Sequence, residues 1–201
     1  MKILAVADAE DRALAEHFNR ERWRDVDLLI SCGDLKAGYL DYLVSQLDVP
    51  LLYVRGNHDE AYRENPPPGC EDIDLRVTKV EGVRIAGLEG SRWYGGRGVE
   101  YGERHMQLRS MWLRAKIALA GGVDVLVAHA QPAFHAEEGG EPEGVDHVHA
   151  GFEVFRDLIL ALKPKLFLHG HTHLHYGRAK RERKLGETRV IDCYGYTVVT
   201  L

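Results

Sequence analysis

Several apolar runs in this chain end on residues that bind cations or move protons: Asp8, Asp34, Asn57, His129, and the pair His171 and His173. The densest stretch is Gly56-Asn57-His58-Asp59. It follows Val49-Pro50-Leu51-Leu52-Tyr53-Val54, an apolar and β-branched run that reads as a buried strand. A glycine opens the stretch and permits a sharp turn. An amide carbonyl, an imidazole and a carboxylate then follow in succession. Taken together, the candidates are two carboxylates, one amide and three imidazoles, with no thiolate. That donor set suits divalent Mn, Fe, Zn, Ni or Co better than a structural zinc cage. It exceeds what one tetrahedral ion needs. It is right for two ions roughly 3.5–4 Å apart that share a carboxylate, activate a bridging water and neutralise charge on a phosphoryl group.

Such residues need a frame that brings distant segments to one place. Lys2 to Val6 reads as a strand, followed by a helical pattern carrying Leu14, His17 and Phe18, with Asp11 as its cap. Val26 to Ile30 reads as a second strand, ending in Ser31-Cys32-Gly33-Asp34, and Leu40, Leu43, Val44 and Leu47 form a helical stripe. Alternating strands and helices imply a parallel sheet with covering helices. In such sheets ligands gather outside the carboxyl ends of the strands, which is where all the clusters fall.

Pro66-Pro67-Pro68-Gly69 then punctuates the chain. Asp74 to Val80 and Val83 to Leu88 read as a hairpin turning near Glu81-Gly82, the start of a second sheet. Gly90 to Gly102, with Arg92, Trp93, Tyr94 and Arg97, reads as a surface loop, either a plain connection or a cover over a site. Met106, Leu108, Met111, Trp112, Leu113, Ile117 and Leu119 support a long helix. Val123 to Ala128 is a strand ending at His129. Phe152, Phe155, Leu158, Ile159 and Leu162 make a helix stopped by Pro164, and Lys165 to Leu168 is a strand leading to Gly170-His171-Thr172-His173. His169 reads as a buried, hydrogen-bonded strand residue. His135, His147 and His149 read as loop residues facing solvent or supporting the site, and Glu137 to Glu143 as a solvated loop. The basic stretch Arg178 to Lys184 reads as a solvated hairpin before two strands, Thr188 to Asp192 and Thr197 to Leu201.

The chain has 201 residues, 45% of them hydrophobic and 28% charged, which fits a single domain spanning 1–201. No apolar run reaches the length of a membrane span, and the start does not read as a signal peptide, so a cytoplasmic protein is expected. Three cysteines without a CxxC pair argue against a disulfide framework; Cys32 reads as a small buried hydrophobe. The net charge of -5 argues against a stable nucleic-acid partner, although metal ions can supply local positive charge for phosphates.

The motifs resemble those of the calcineurin-like metallophosphoesterases, D-x-H, GD, GNH[DE], a strand-end His and GHxH. Here they stand in the same order as Asp8-Ala9-Glu10, Gly33-Asp34, Gly56-Asn57-His58-Asp59, His129 and Gly170-His171-Thr172-His173. The resemblance implies an α/β fold of the α+β type, two packed mixed β-sheets flanked by helices in a four-layer sandwich. It implies a first metal on Asp8 and His173, a second on Asn57, His129 and His171, and Asp34 bridging both. His58 would stabilise charge or protonate the leaving oxygen, and Asp59 would hold the His58 imidazole. His129-Ala130-Gln131-Pro132 followed by His149-Ala150-Gly151 looks like a subgroup with compact, small-substrate members. One departure stands out: Glu10 occupies the place of a metal-binding histidine. It either ligates the first metal, tilting it toward Mn, Fe or Mg over Zn with Mn favoured, or serves as a supporting charge that leaves this site weak. The expected activity is hydrolysis of a phosphodiester or phosphomonoester of a small molecule or nucleotide through a metal-bridging hydroxide. The alternatives are a catalytically weakened or inactive scaffold of the same fold, or a nuclease or nucleotide pyrophosphohydrolase.

Overall fold

The computed structural model describes residues 1–96, 98–135, 151–172 and 181–201. In chain order its strands are β1 (Lys2–Ala7), β2 (Leu28–Ser31), β3 (Leu51–Tyr53), β4 (Cys70–Asp72), β5 (Val77–Val80), β6 (Val83–Leu88), β7 (Ser91–Arg92) and β8 (Glu100–Tyr101). Five more follow: β9 (Val125–Ala128), β10 (Leu166–His169), β11 (Glu182–Leu185), β12 (Thr188–Asp192) and β13 (Gly195–Thr200). The helices are α1 (Arg12–Ala15), α2 (Arg20–Trp23), α3 (Ala37–Leu47), α4 (Glu103–Leu119) and α5 (Glu153–Leu162).

Strand β1 shows why two sheets must pack. Ile3, Ala5 and Ala7 point to one face and Leu4 and Val6 to the other, and all are fully buried. The first face meets Leu28, Ile30 and Val54 from its own sheet and Val125, Val127, Leu166 and Leu168 from the second, which forms the central core. The other face packs against Leu14, Trp23, Leu40 and Leu43 of the covering helices. On the far side of the second sheet, Leu126, Phe167 and Val190 pack on Met106, Leu113, Phe155 and Ile159. Helix, sheet, sheet and helix thus give four layers. Each fully buried leucine or phenylalanine contributes roughly 1.5–3 kcal/mol.

The first sheet runs β13-β1-β2-β3-β4, with β13 antiparallel and the rest parallel. The second runs β11-β12-β10-β9-β6-β5; its four central strands are parallel and its two edges antiparallel. The carboxyl ends of β1, β2, β3, β9 and β10 therefore share one rim.

Some elements differ from the sequence reading. The helix expected to carry Leu14, His17 and Phe18 ends at Ala15, because Asn19 caps a separate turn by accepting from the Glu21 amide. Asp11 does cap the first turn, accepting from the Ala13 amide at 2.8 Å. The glycine-rich loop contains the parallel ribbon β7–β8, and the basic stretch includes edge strand β11, paired with β12. Helix α4 buries Met106, Leu113 and Ile117, whereas Leu108, Met111, Trp112 and Leu119 lie exposed on its other side. The apolar residues were more numerous than one helical face can hold. Among the described residues, no helix is long and apolar enough to cross a membrane.

Candidate metal centre

At the shared rim, the turns leaving three strands hold side chains in conformations that L-residues rarely adopt. Asp8, Asp34 and His171 have φ of 62°, 58° and 68°. Each left-handed residue costs about 1–2 kcal/mol, so the surrounding contacts must enforce it. The Asp8 carboxylate accepts from the His171 amide at 3.0 and 3.1 Å, which links the end of β1 to the end of β10. Gly56 permits a similarly close approach, since a Cβ there would collide with the Asp34 carboxylate.

The carboxylate of Asp34 and the rings of His129 and His171 meet at this rim. Each offers a ligand atom, and the three atoms lie within 4.8 Å of one another. Asn57 joins them through its carbonyl oxygen, 2.9 Å from His129 Nε2. His129 is fully buried, and its Nδ1 donates to the Cys32 carbonyl at 2.8 Å. In the neutral ring this leaves Nε2 as a bare lone pair. That lone pair faces Asn57 Oδ1 and, at 3.4 Å, Asp34 Oδ2, which also carry lone pairs. Electron-rich atoms converging in a buried place need a proton or a cation between them. The donor set of one carboxylate, one amide oxygen and two imidazoles fits a divalent transition ion.

The electrostatics of the site carry the same message. Burial pulls the His129 pKa down, but the Asp34 carboxylate outweighs it and raises the ring to about 9. Burial likewise favours neutral Asp34, yet His129 and the His58 amide hold it at about 2. Asp8 is pushed up to about 7, chiefly by burial, with Asp34 adding to the rise. A cation at this rim would take over the role of the protons.

The remaining expected site residues fall in different places. His58 donates its amide to Asp34 Oδ1 at 2.8 Å, while its ring is 72% exposed and 4.0 Å from Asp34 Oδ2. Asp59 departs from its expected role of holding that ring. Its Oδ2 accepts instead from the Asp34 and Gly56 amides, at 2.7 and 2.8 Å. Two main-chain amides, one buried and one half-buried, are stronger claimants than an imidazole out in solvent, so Asp59 clamps the second strand-end loop to the third. Burial raises its pKa to about 6. Glu10 is not among the clustered ligands; its carboxylate lies 3.2 Å from Lys36 Nζ. His173 lies outside the described residues, as do His147, His149 and the acidic stretch Glu137 to Glu143. His169 is buried on β10 with Nδ1 on the Gly170 carbonyl, as expected of a strand residue, and burial lowers its pKa. Among the described residues there is one such cluster of potential ligands, and a second is not formed.

One neighbour escaped the sequence reading in its detail. The Tyr94 hydroxyl accepts from Asn57 Nδ2 at 3.0 Å. The aromatic residues of the loop signalled that it could cover a site, but not which group they would touch.

A profile of the calcineurin-like phosphoesterase family matches residues 1–175. The chain belongs to the calcineurin-like phosphoesterases. Among solved structures, TT1561 of Thermus thermophilus superposes with a TM-score of 0.66 at 18% identity, over 96% of this chain and 88% of that one. The phosphopantetheinyl hydrolase PptH of Mycobacterium tuberculosis superposes with a TM-score of 0.57 at 15% identity, over 96% of this chain and 88% of that one. At these identities the likeness is one of fold. A search of curated proteins returns no match.

Proposed function

We propose that this chain is a weakened metal-dependent phosphoesterase, built around one firmly held divalent cation. The observation that carries this reading is the convergence of Asp34, His129 and His171, while Glu10 is engaged by Lys36. Asp34, Asn57, His129 and His171 would hold the cation, with Mn favoured. Asp8 and His173 would hold a second, looser one. A bound cation supplies Lewis acidity toward a phosphoryl oxygen and a nucleophile from water at neutral pH. The chain's own residues do the rest. Asp59 keeps the Asp34 and Asn57 loops in register through its two backbone contacts. The exposed His58 ring stands where it can give a proton to a leaving oxygen.

Small phosphodiesters, phosphomonoesters or nucleotides suit this site better than long nucleic acids, because the net charge is -5. Three free thiols fit the reducing cytoplasm, and one domain spanning 1–201 fits the continuous two-sheet core. The test is hydrolysis of bis-p-nitrophenyl phosphate and p-nitrophenyl phosphate with added Mn²⁺, using Asp34→Asn as the blank. Slow turnover that vanishes in Asp34→Asn supports the reading; equal rates in both proteins exclude it. The Glu10–Lys36 pair also favours a second reading, a scaffold that binds the cation without catalysis. Mn²⁺ binding with no turnover on any substrate, oligonucleotides and cyclic nucleotides included, would establish that one.

A further inference from the structure

We propose that Tyr94 is a positioning residue for the cation site, its phenol oxygen holding the Asn57 amide with the carbonyl turned toward the cation. This rests on Asn57 as a ligand. An amide has two unlike ends, and only one suits a cation. Asn57 is buried, at 3% exposure. Its Oδ1 stands at His129 Nε2, so its NH₂ must find an acceptor on the opposite side. The Tyr94 oxygen is that acceptor, at 3.0 Å. Turned the other way, the amide would set two N–H groups against the cation.

The loop that carries Tyr94 is built to hold it still. One carboxylate oxygen of Glu100 accepts from the amides of Tyr94, Gly95 and Gly96, at 3.1, 3.1 and 3.0 Å. The Ser91 amide donates to Val99 and the Trp93 amide to Tyr101 across the loop. The Val99 amide donates to the Asn57 main-chain carbonyl at 3.2 Å. Gly98, at φ +103°, allows this contact, since a Cβ there would strike the same carbonyl. At the base, Glu89 takes an ion pair from Arg55 at 2.7 Å and the hydroxyl of Tyr101. The loop therefore grips Asn57 twice, through its main chain at Val99 and through its side chain at Tyr94. An anchored phenol can impose an orientation that a loose one cannot.

The test is Mn²⁺ titration by calorimetry, alongside thermal unfolding of the metal-free proteins. Tyr94→Phe removes the acceptor and keeps the ring. It should bind Mn²⁺ roughly tenfold more weakly than the parent, as outer partners of metal ligands do, with only a modest fall in the metal-free melting temperature from the stranded Asn57 NH₂. Glu100→Gln, which slackens the loop without touching Asn57, should show a smaller loss in the same direction. In an Asn57→Ala background there is no amide to orient, so Tyr94→Phe should change affinity less than about twofold. Equal affinity of Tyr94→Phe and parent, an equal loss in the Asn57→Ala background, or no Mn²⁺ binding by the parent would each overturn the proposal. A parent that binds Mn²⁺ in this Tyr94-dependent way yet hydrolyses nothing would leave the proposal standing and remove the hydrolase reading.

Discussion

The two halves of the rim contrast in how they hold their candidate ligands. On one side, Asp34, Asn57 and His129 are held by hydrogen bonds: Asp34 through the His58 amide, His129 through the Cys32 carbonyl, Asn57 through the Val99 amide and the Tyr94 phenol. On the other side, Asp8 is held by the His171 amide, but Glu10 lies two residues past it on an exposed turn and turns to Lys36. Distance from the strand end does not decide this, since Asp34 and Asn57 lie as far past β2 and β3 as Glu10 does past β1 or farther; the contacts each residue makes do. The difference teaches that a motif position is not a ligand position until something orients the side chain.

The largest break in this contrast is Asp34→Asn. It removes the one carboxylate of the cluster, and it should cost more than the roughly 10–100-fold typical of outer partners in Mn²⁺ affinity. Calorimetry that finds parent-like binding would show that the cation sits elsewhere. Asp59→Ala comes next. It strands the amides of Asp34 and Gly56, at about 1–3 kcal/mol for each unsatisfied group. Urea unfolding of the metal-free protein should register that loss, and an unchanged midpoint would dissolve the clamp.

The third effect is a dependence on pH. The raised Asp8 and Asp59 pKa values mean that the folded metal-free chain holds protons that the unfolded chain releases near 3.8, so stability falls as pH rises toward 7. The raised His129 pKa contributes stability that is full below 6.5 and lost as pH passes about 9. Asp34 acts in the opposite sense but only at lower pH, where its stabilisation fades as pH falls from 3.8 through about 2. The metal-free melting temperature should therefore decline from pH 5 to 9, and Mn²⁺ should flatten the decline by replacing the protons. A metal-free curve that rises over this range would contradict the burial of these groups. The smallest effect is that of Glu10→Ala. An exposed ion pair with Lys36 contributes at most about 1 kcal/mol, and kcat/KM should change less than about twofold. A tenfold fall in kcat/KM would show that Glu10 serves the cation after all.

Much of this was legible in the chain because strand ends are written plainly. Apolar runs of strand length, each ending near a ligand-type residue and three of them through a glycine, mark both the sheet and its rim, as at Ser31-Cys32-Gly33-Asp34 and Gly56-Asn57-His58-Asp59. The partner of Asp59 was hidden because main-chain amides are the same at every position and carry no sequence mark. Strand β4 and the ribbon β7–β8 were too short to show a period. The outward residues of α4 have the same composition as the inward ones, so only packing could sort them.

Residue types and their order determined by themselves the family, the two-sheet core and the strand ends that carry the candidate ligands, because burial alternates along a strand and stops where polar residues begin. Tertiary structure alone decided which neighbours those residues meet. Lys36 for Glu10, the Asp34 amide for Asp59 and a phenol for Asn57 are contacts between segments far apart in the chain, and such contacts exist only once the layers have closed.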